Sequence, residues 1–310
     1  MSENTTHYTA KTYLYTLLAL IAFAANSVLC RLALEMGPQG AAIDAGSFTL
    51  VRLAAGISAL FLILWLKSLL SKKSGAKAPG RSGASTGSWF GACMLFLYAF
   101  GFSYAYISLD TGTGALILFG VVQMTMIAMS IYGGNKLHYT EWLGIILAFS
   151  GFVYLMLPGV SAPSGQGLIL MTLSGIGWGF YTLAGKKSID PLRDTSFNFL
   201  RTAPLLVALA IYNIGDYNLS SKGLILAIIS GALTSGVGYS IWYVALRVLK
   251  TMHAAVLQLL VPVIAALGGI FLVAEPLSSR LVISSLLILG GILLVVVGKK
   301  IFTAKTKYLI

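Results

Sequence analysis

The sequence predicts an all-α integral membrane protein in which ten transmembrane helices form two inverted five-helix repeats. Composition is the first reason: 57% of the 310 residues are hydrophobic, only 10% are charged, and the mean hydropathy is +0.88, far from soluble domains. Length is the second reason, because a span needs about 20 apolar residues and the chain has room for roughly ten. The third reason is an internal repeat.

The apolar runs predict ten spans, separated by glycine, proline and charged residues. We place them at 13–34, 45–66, 88–108, 113–132, 141–157, 166–185, 195–213, 223–246, 252–273 and 281–298. The longest link, 67–87, is rich in serine, glycine and lysine and is expected to be flexible. No other link is long enough to hold a folded module.

Two stretches of the first half recur in the second. Residues 48–52 match 197–201 at a shift of 149, and both stretches begin with phenylalanine and end with arginine. At a shift of 140, several positions of 115–151 fall on the same residue type, or a similar one, in 255–291. The chain is therefore interpreted as two copies of one structural repeat.

We divide the chain into a first repeat, 1–160, and a second repeat, 161–310. Each repeat holds five predicted spans, an odd number, so the second must enter the membrane from the opposite side to the first. Inverted repeats are typical of secondary transporters, whose substrate site lies near the midplane between the halves.

Basic residues predict the orientation. With both termini in the cytoplasm, sixteen lysines and arginines fall on inner links and tails, and only Arg31, Lys222 and Arg280 fall outside. This asymmetry predicts a protein of the inner or plasma membrane with both termini cytoplasmic. It also accounts for the net charge of +12 without a nucleic-acid partner.

A set of short motifs carries a family resemblance. It comprises Phe-x-x-x-Arg in the second span of each half, Trp178-Gly179, Ala245-Leu246, Ala254-Ala255, Pro262, Glu275-Pro276-Leu277 and Gly290-Gly291. With these motifs the chain resembles the drug/metabolite transporter superfamily, in its ten-helix EamA-like branch. The first half departs from the pattern, since Val122 replaces the proline and Asn135 the glutamate. The resemblance implies export of small metabolites, amino acids among them.

The function expected is a secondary transporter that exports small polar or amphipathic metabolites, with amino acids as the leading class, by alternating access. Its partners would be a small-molecule substrate and the lipid bilayer, and monomer and homodimer both stay open. A nucleotide-sugar or phosphate-ester exchanger is the first alternative, but it needs several cations around the cavity. A membrane-embedded enzyme would need a nucleophile or metal site, and a non-transporting scaffold would have no cavity.

Buried amides and deep aromatic residues are the candidate substrate-binding residues. An amide in lipid is costly unless it faces protein or water, and aromatic rings beside glycines can form a cavity wall. The candidates are Asn26, Tyr98, Gln123, Trp178, Tyr181, Tyr239, Trp242, Tyr243 and Gln258. We expect spans one, three, four, six, eight and nine to line the site, with five and ten as outer supports.

Two arginines lie inside predicted spans at matching repeat positions, Arg52 and Arg201. Together they could capture a substrate carboxylate as a two-pronged donor. Alternatively, each could lock helices together by binding carbonyls or the acids Asp44 and Asp194. Because both copies keep the arginine, we favour the structural or gating role.

Pro262 and Glu275 are also interpreted as structural or gating residues. Pro262 lies within a span and frees the carbonyl of Gln258, which predicts a kink. Glu275 is expected to cap a helix or pair locally. No cofactor, metal or catalytic motif is found, and no acid falls near a span centre, so coupling through a membrane carboxylate is not predicted.

Overall fold

The computed structural model describes most of the chain. The described residues are 10–35, 40–73, 86–135, 137–158, 162–186, 188–215, 217–246, 248–249 and 251–307. Two sequence features used above lie partly outside them, namely the link 67–87 and six of the inner-side cations. These cations are Lys77, Arg81, Lys136, Lys187, Arg247 and Lys250.

The described chain is helical, as the sequence predicts. In chain order the α-helices are α1 (Ala10–Leu34), α2 (Ala45–Lys73), α3 (Trp89–Ala105), α4 (Thr111–Tyr132), α5 (Tyr139–Met156), α6 (Gly165–Gly185), α7 (Pro191–Arg201), α8 (Ala203–Tyr212), α9 (Ser221–Ile228), α10 (Gly238–Leu246), α11 (Thr251–Gln258), α12 (Leu260–Leu272) and α13 (Ser279–Lys307). A π-helical segment, Ile229–Val237, joins α9 to α10.

Eight helical segments of the described chain are long and apolar enough to cross a membrane. Two shorter apolar helices, Trp89–Ala105 and Val256–Leu272, coincide with the third and ninth predicted spans. The protein is thus an all-α integral membrane protein. The count of ten spans and the inverted relation of the halves stay predictions.

Prolines divide two of the predicted spans. The seventh is broken at Thr202, between α7 and α8, and Pro204 lies in the first turn of the second piece. The ninth is broken at Leu259, three residues before Pro262. A proline lacks the N–H that would bind the carbonyl four residues earlier, and for Pro262 this carbonyl belongs to Gln258. The break is therefore at the position where the sequence predicts a kink.

The π-helical segment in the eighth predicted span packs directly against α2. A Cβ added to Gly231 would lie 2.0 Å from the carbonyl oxygen of Arg52, so this contact requires glycine. Thr234 and Ser235 both donate their hydroxyls to the Ser230 carbonyl, which satisfies a backbone group in the widened turn. This segment places Gly231 against the backbone of Arg52 in α2.

The links between helices meet in an alternating pattern. The first link pairs with the seventh through the β-bridge of Ile43 and Leu219. The end of the second link binds α7, where Gly87 donates its backbone N–H to Asp194 at 3.0 Å. A chain that crosses back and forth brings odd-numbered links to one end and even-numbered links to the other, and these contacts have that distribution.

Candidate functional site

A cavity lies where helices from both halves of the chain meet. Its lining residues come from α1, α3, α4, α6, the π-helical segment and α10. They are Phe23, Asn26, Tyr98, Phe102, Leu118, Phe119, Trp178, Thr234 and Tyr239. The space is narrow, with room for about one or two water molecules. A molecule larger than water can therefore enter only when the lining side chains or their helices move apart.

Aromatic rings form most of the wall. The Trp178 ring centroid lies 4.8 Å from that of Tyr98 and 5.1 Å from that of Tyr239, with which it is stacked. Phe23 faces Tyr239 at 5.6 Å. Ring pairs at these separations attract one another while their hydroxyl and indole groups remain available for hydrogen bonds.

Glycine allows α6 to approach α3 closely enough to build this wall. A Cβ on Gly177 would lie 2.9 Å from the Met94 carbonyl oxygen and 3.1 Å from the Tyr98 nitrogen. Ser174, one turn earlier, donates its hydroxyl to the Tyr98 carbonyl at 2.8 Å. Small residues at a membrane helix interface have this effect in general, and here they position Trp178 against Tyr98.

A chain of polar side chains connects four elements beside the cavity. The Tyr98 hydroxyl accepts hydrogen bonds from Nη2 of Arg52 at 2.7 Å and from Nδ2 of Asn26 at 3.1 Å. The Ser230 hydroxyl donates to Oδ1 of Asn26 at 2.5 Å. Because the Tyr98 hydroxyl accepts two bonds, its own O–H can be donated to a third group.

The two repeat-matched arginines have different environments. Arg52 is 2% exposed, and its guanidinium lies over the rings of Phe102 and Tyr98. Arg201 is less buried; it donates to the backbone carbonyl and the hydroxyl of Thr86 and lies over the Trp89 ring. Arg201 thus contacts the start of α3, whereas Arg52 contacts the residues that line the cavity.

Four of the nine candidate binding residues line the cavity: Asn26, Tyr98, Trp178 and Tyr239. Three others lie just beyond the wall. Trp242 packs edge-on against Phe23 at 5.8 Å, and the hydroxyls of Tyr181 and Tyr243 both bind Thr195. These three therefore form an aromatic layer behind the lining residues.

The remaining two candidates are amides outside the lining. Gln123 is buried on α4, one turn beyond Phe119, and its Nε2 has no hydrogen-bond partner among the described residues. Gln258 is half-buried and is the last residue of α11, immediately before the break. No described side chain of the predicted ninth span lines the cavity, although α12 packs against α1 and α4.

Sequence reasoning missed five lining residues, namely Phe23, Phe102, Leu118, Phe119 and Thr234. Four of them are apolar residues in apolar helices. In such a helix the sequence looks the same whether an apolar side chain faces the cavity or the lipid. Ser230, which binds Asn26, was also missed. The sequence feature that could have indicated it is a hydroxyl side chain in the eighth predicted span, which also holds Tyr239 and Trp242.

Glu275 does bind a helix start, but the helix is the distant α4, so the expectation that its contacts are local is wrong. It accepts the backbone N–H and the hydroxyl of Thr111, 164 residues away, at 2.9 Å, and Arg31 donates Nε to it at 3.2 Å. Burial raises the pKa of Glu275, against the lowering effect of the hydrogen bonds from Thr111 and the charge of Arg31. A local cap was expected because a sequence shows only neighbours along the chain.

Comparison with known proteins identifies the family. The EamA-like transporter family matches residues 165–297. A Pseudomonas aeruginosa protein described as uncharacterized is 46% identical over 285 residues, 92% of this chain and 94% of that protein. An uncharacterized transporter of Archaeoglobus fulgidus is 29% identical over 196 residues, 61% of this chain and 68% of its own. The chain belongs to the EamA-like transporter family.

This membership confirms the resemblance to the drug/metabolite transporter superfamily. A solved crystal structure with 16% sequence identity aligns with a TM-score of 0.60 and covers 91% of this chain and 98% of its own, which shows a common fold. The EamA-like protein is therefore a membrane transporter, and its family implies a small-molecule substrate and a lipid environment. The family is one of transporters and not of enzymes.

Proposed function

We propose that this EamA-like protein is a secondary transporter that exports small polar or amphipathic metabolites, amino acids or related compounds in particular, by alternating access. The observation that carries the proposal is the aromatic cavity with a polar cluster at one side. Both halves of the chain contribute to its lining, as Tyr98 and Tyr239 illustrate. Such a site suits a solute with an apolar body and a hydrogen-bonding group.

Polar contacts at both ends of the bundle support alternating access. At one end, Glu275 joins the α12–α13 link to Thr111 at the start of α4. At the other, Asp194 of α7 binds Gly87 just before α3. The narrow cavity between these contacts fits a closed state, from which release of either contact would open one side.

The proposed arrangement has ten spans in two inverted repeats. The protein lies in the inner or plasma membrane, and both termini are in the cytoplasm. The basic asymmetry of the sequence and the alternating contacts of the links support it. A reporter fused after Ile310 should be found in the cytoplasm. A reporter on the outer face would reject this orientation.

One buried cation favours metabolites with a single negative group over phosphate esters. Among the described residues, Arg52 is the one cation that contacts cavity-lining side chains. Arg201, its repeat counterpart, is engaged with Thr86. Recognition of a phosphate ester with two negative charges would call for more cations around the cavity.

The test is efflux from vesicles that contain the purified protein and are loaded with a panel of amino acids, amines, sugars and phosphate esters. We expect efflux of amino acids or related compounds, and we expect Trp178→Ala to lose most of it. The matched control is Ile146→Ala on α5, a residue that is 63% exposed and is not among those that line the cavity. Absence of efflux for every solute, or equal losses in the two variants, would contradict the proposed function.

A further inference from the structure

Arg52 is a buried cation, and part of its guanidinium has no hydrogen-bond acceptor. Its Nη2 binds the Tyr98 hydroxyl at 2.7 Å, but Nε and Nη1 have no hydrogen-bond partner among the described residues. The two ion pairs found in the described part of the chain both involve Arg31, so neither gives Arg52 an acidic partner. The guanidinium instead rests over aromatic faces, 4.7 Å from the Phe102 centroid and 5.2 Å from that of Tyr98.

Burying a guanidinium in this position without an anion costs free energy. Removing a charge from water is unfavourable unless a counter-charge and hydrogen bonds replace the lost hydration. Aromatic faces replace part of it, but they are much weaker acceptors of the N–H groups of Nε and Nη1 than an oxygen would be. The described protein supplies no anion for Arg52, whereas a bound solute can supply one.

The surroundings of Arg52 show which kind of solute fits. Tyr98 and Phe102 contact the guanidinium and also line the cavity, so Arg52 lies one layer behind the cavity wall. The Tyr98 O–H supplies a further donor, since that oxygen already accepts bonds from Arg52 and Asn26. Donors from one guanidinium and one hydroxyl match the two oxygens of a carboxylate.

We propose that Arg52 and Tyr98 form the carboxylate-binding subsite of the transporter, and that the rings of Trp178 and Tyr239 hold the apolar body of the same solute. The inference rests on the proposed function and narrows it to monocarboxylates, either amino acids or simple carboxylic acids. Arg52 then has a substrate-binding role in place of the helix lock expected from the sequence. Arg201 keeps a structural role.

The test uses two probe sets, each with one apolar body: phenylalanine with phenylalaninamide and 3-phenylpropionate, and leucine with leucinamide and 4-methylpentanoate. Melting of the purified full-length protein and efflux from vesicles are measured for each compound. We expect phenylalanine and leucine each to be favoured over the corresponding carboxamide by about tenfold or more, as hydrogen bonds to a charged group imply. An amino acid favoured over its des-amino acid identifies amino acids as the source of the carboxylate; equal preference identifies simple carboxylic acids.

Arg52→Gln should abolish the preference for carboxylate over carboxamide, and Arg52→Lys should retain part of it. If Arg52→Gln does not fold, Tyr98→Phe serves instead, because it removes only the hydroxyl and should reduce the preference severalfold. Arg201→Gln is the matched control, with lower stability but an unchanged preference. An unchanged preference in Arg52→Gln and Tyr98→Phe, or no response to any carboxylate, would overturn the subsite. Efflux of other panel solutes in that case would leave the proposed function intact.

Discussion

The Glu275 carboxylate accepts the backbone N–H of Thr111 at 2.9 Å and so attaches the α12–α13 link to the first turn of α4. Arg31, in the last turn of α1, donates to the same carboxylate. A negative charge at a helix N-terminus is favourable because the unpaired N–H groups there carry partial positive charge. One acid therefore joins three segments that are far apart in the chain.

Glu275→Gln should open this end of the protein more often. The amide carries no charge and has one acceptor oxygen, so the bonds to Thr111 and Arg31 weaken together. Cys30 is a natural reporter, because it is fully buried and directly precedes Arg31. In a Cys93→Ser background, we expect a small maleimide to label Cys30 about fivefold faster or more, as a loss of ~1 kcal/mol implies.

Glu141→Gln is the control for this experiment. Glu141 binds the backbone N–H of His138 at the start of its own helix, α5, so its loss should leave distant contacts unchanged. Equal labelling of Cys30 in Glu275→Gln and the parent protein would show that this carboxylate does not hold the end closed.

Asp44 should make the stability of the protein depend on pH. Burial by itself would raise the pKa of Asp44, but hydrogen bonds from Ser47, Asn218 and Asn213 outweigh it and lower the pKa below the usual 3.8. A lowered pKa stabilises the folded state above pH 3.8, and this contribution disappears as the pH falls through the folded-state pKa. We therefore expect Asp44→Asn to lose roughly 1 kcal/mol at neutral pH, because solvent screens this partly exposed carboxylate.

Denaturation of the Asp44→Asn protein in detergent between pH 7 and pH 3 is the measurement. The stability gap to the parent protein should narrow as the pH falls, because protonation removes the same charge. Asp110→Asn is the control, since the Asp110 side chain is 55% exposed and its ion-pair contact with Arg31 is long, at 3.8 Å. A gap that is constant with pH would contradict the assignment.

Gly87→Ala should destabilise the protein for two reasons: the backbone conformation of Gly87 is unfavourable for alanine, and the added Cβ would be crowded by neighbouring atoms. Gly87 has φ of +75°, and a Cβ there would lie 2.3 Å from Oδ1 of Asn198 and 2.9 Å from the Asp194 carbonyl oxygen. Gly134 has a similar φ of +88° but nothing within 4 Å, so Gly134→Ala measures the backbone effect alone. We expect Gly87→Ala to cost a further 1–3 kcal/mol, roughly, because of crowding. Equal melting temperatures would contradict this close approach.

Adjacent glycines on α13 should respond differently to alanine. A Cβ on Gly291 would lie 2.5 Å from the Ala148 nitrogen and 2.5 Å from the Gly144 oxygen, so α5 and α13 would have to separate. A Cβ on Gly290 would meet nothing within 4 Å. Thermal denaturation should show a loss of about 1–3 kcal/mol for Gly291→Ala. Gly290→Ala should be neutral or gain up to about 1 kcal/mol from helix propensity. Similar effects at both positions would mean that the two helices do not touch there.

Much of the candidate site could be predicted, but not its organisation. Asn26, Tyr98, Trp178 and Tyr239 were recognised because polar and amphipathic residues are conspicuous in apolar helices. The apolar half of the lining was not recognised, since an apolar residue is equally suited to lipid and to a cavity wall. Arg52 was recognised as a buried cation and assigned to the wrong neighbours, because its partner in α3 lies 46 residues away.

The sequence by itself determined the class of the protein, the positions of its helices and its family. Those properties depend on local features: the length of apolar runs, the missing N–H of prolines such as Pro262, and motifs read along the chain. The tertiary structure alone decided which side chains meet, as with Thr111 and Glu275 across 164 residues and the different partners of Arg52 and Arg201. Such contacts depend on how the helices pack. Two helices with the same local sequence pattern can therefore place the same type of residue against different partners.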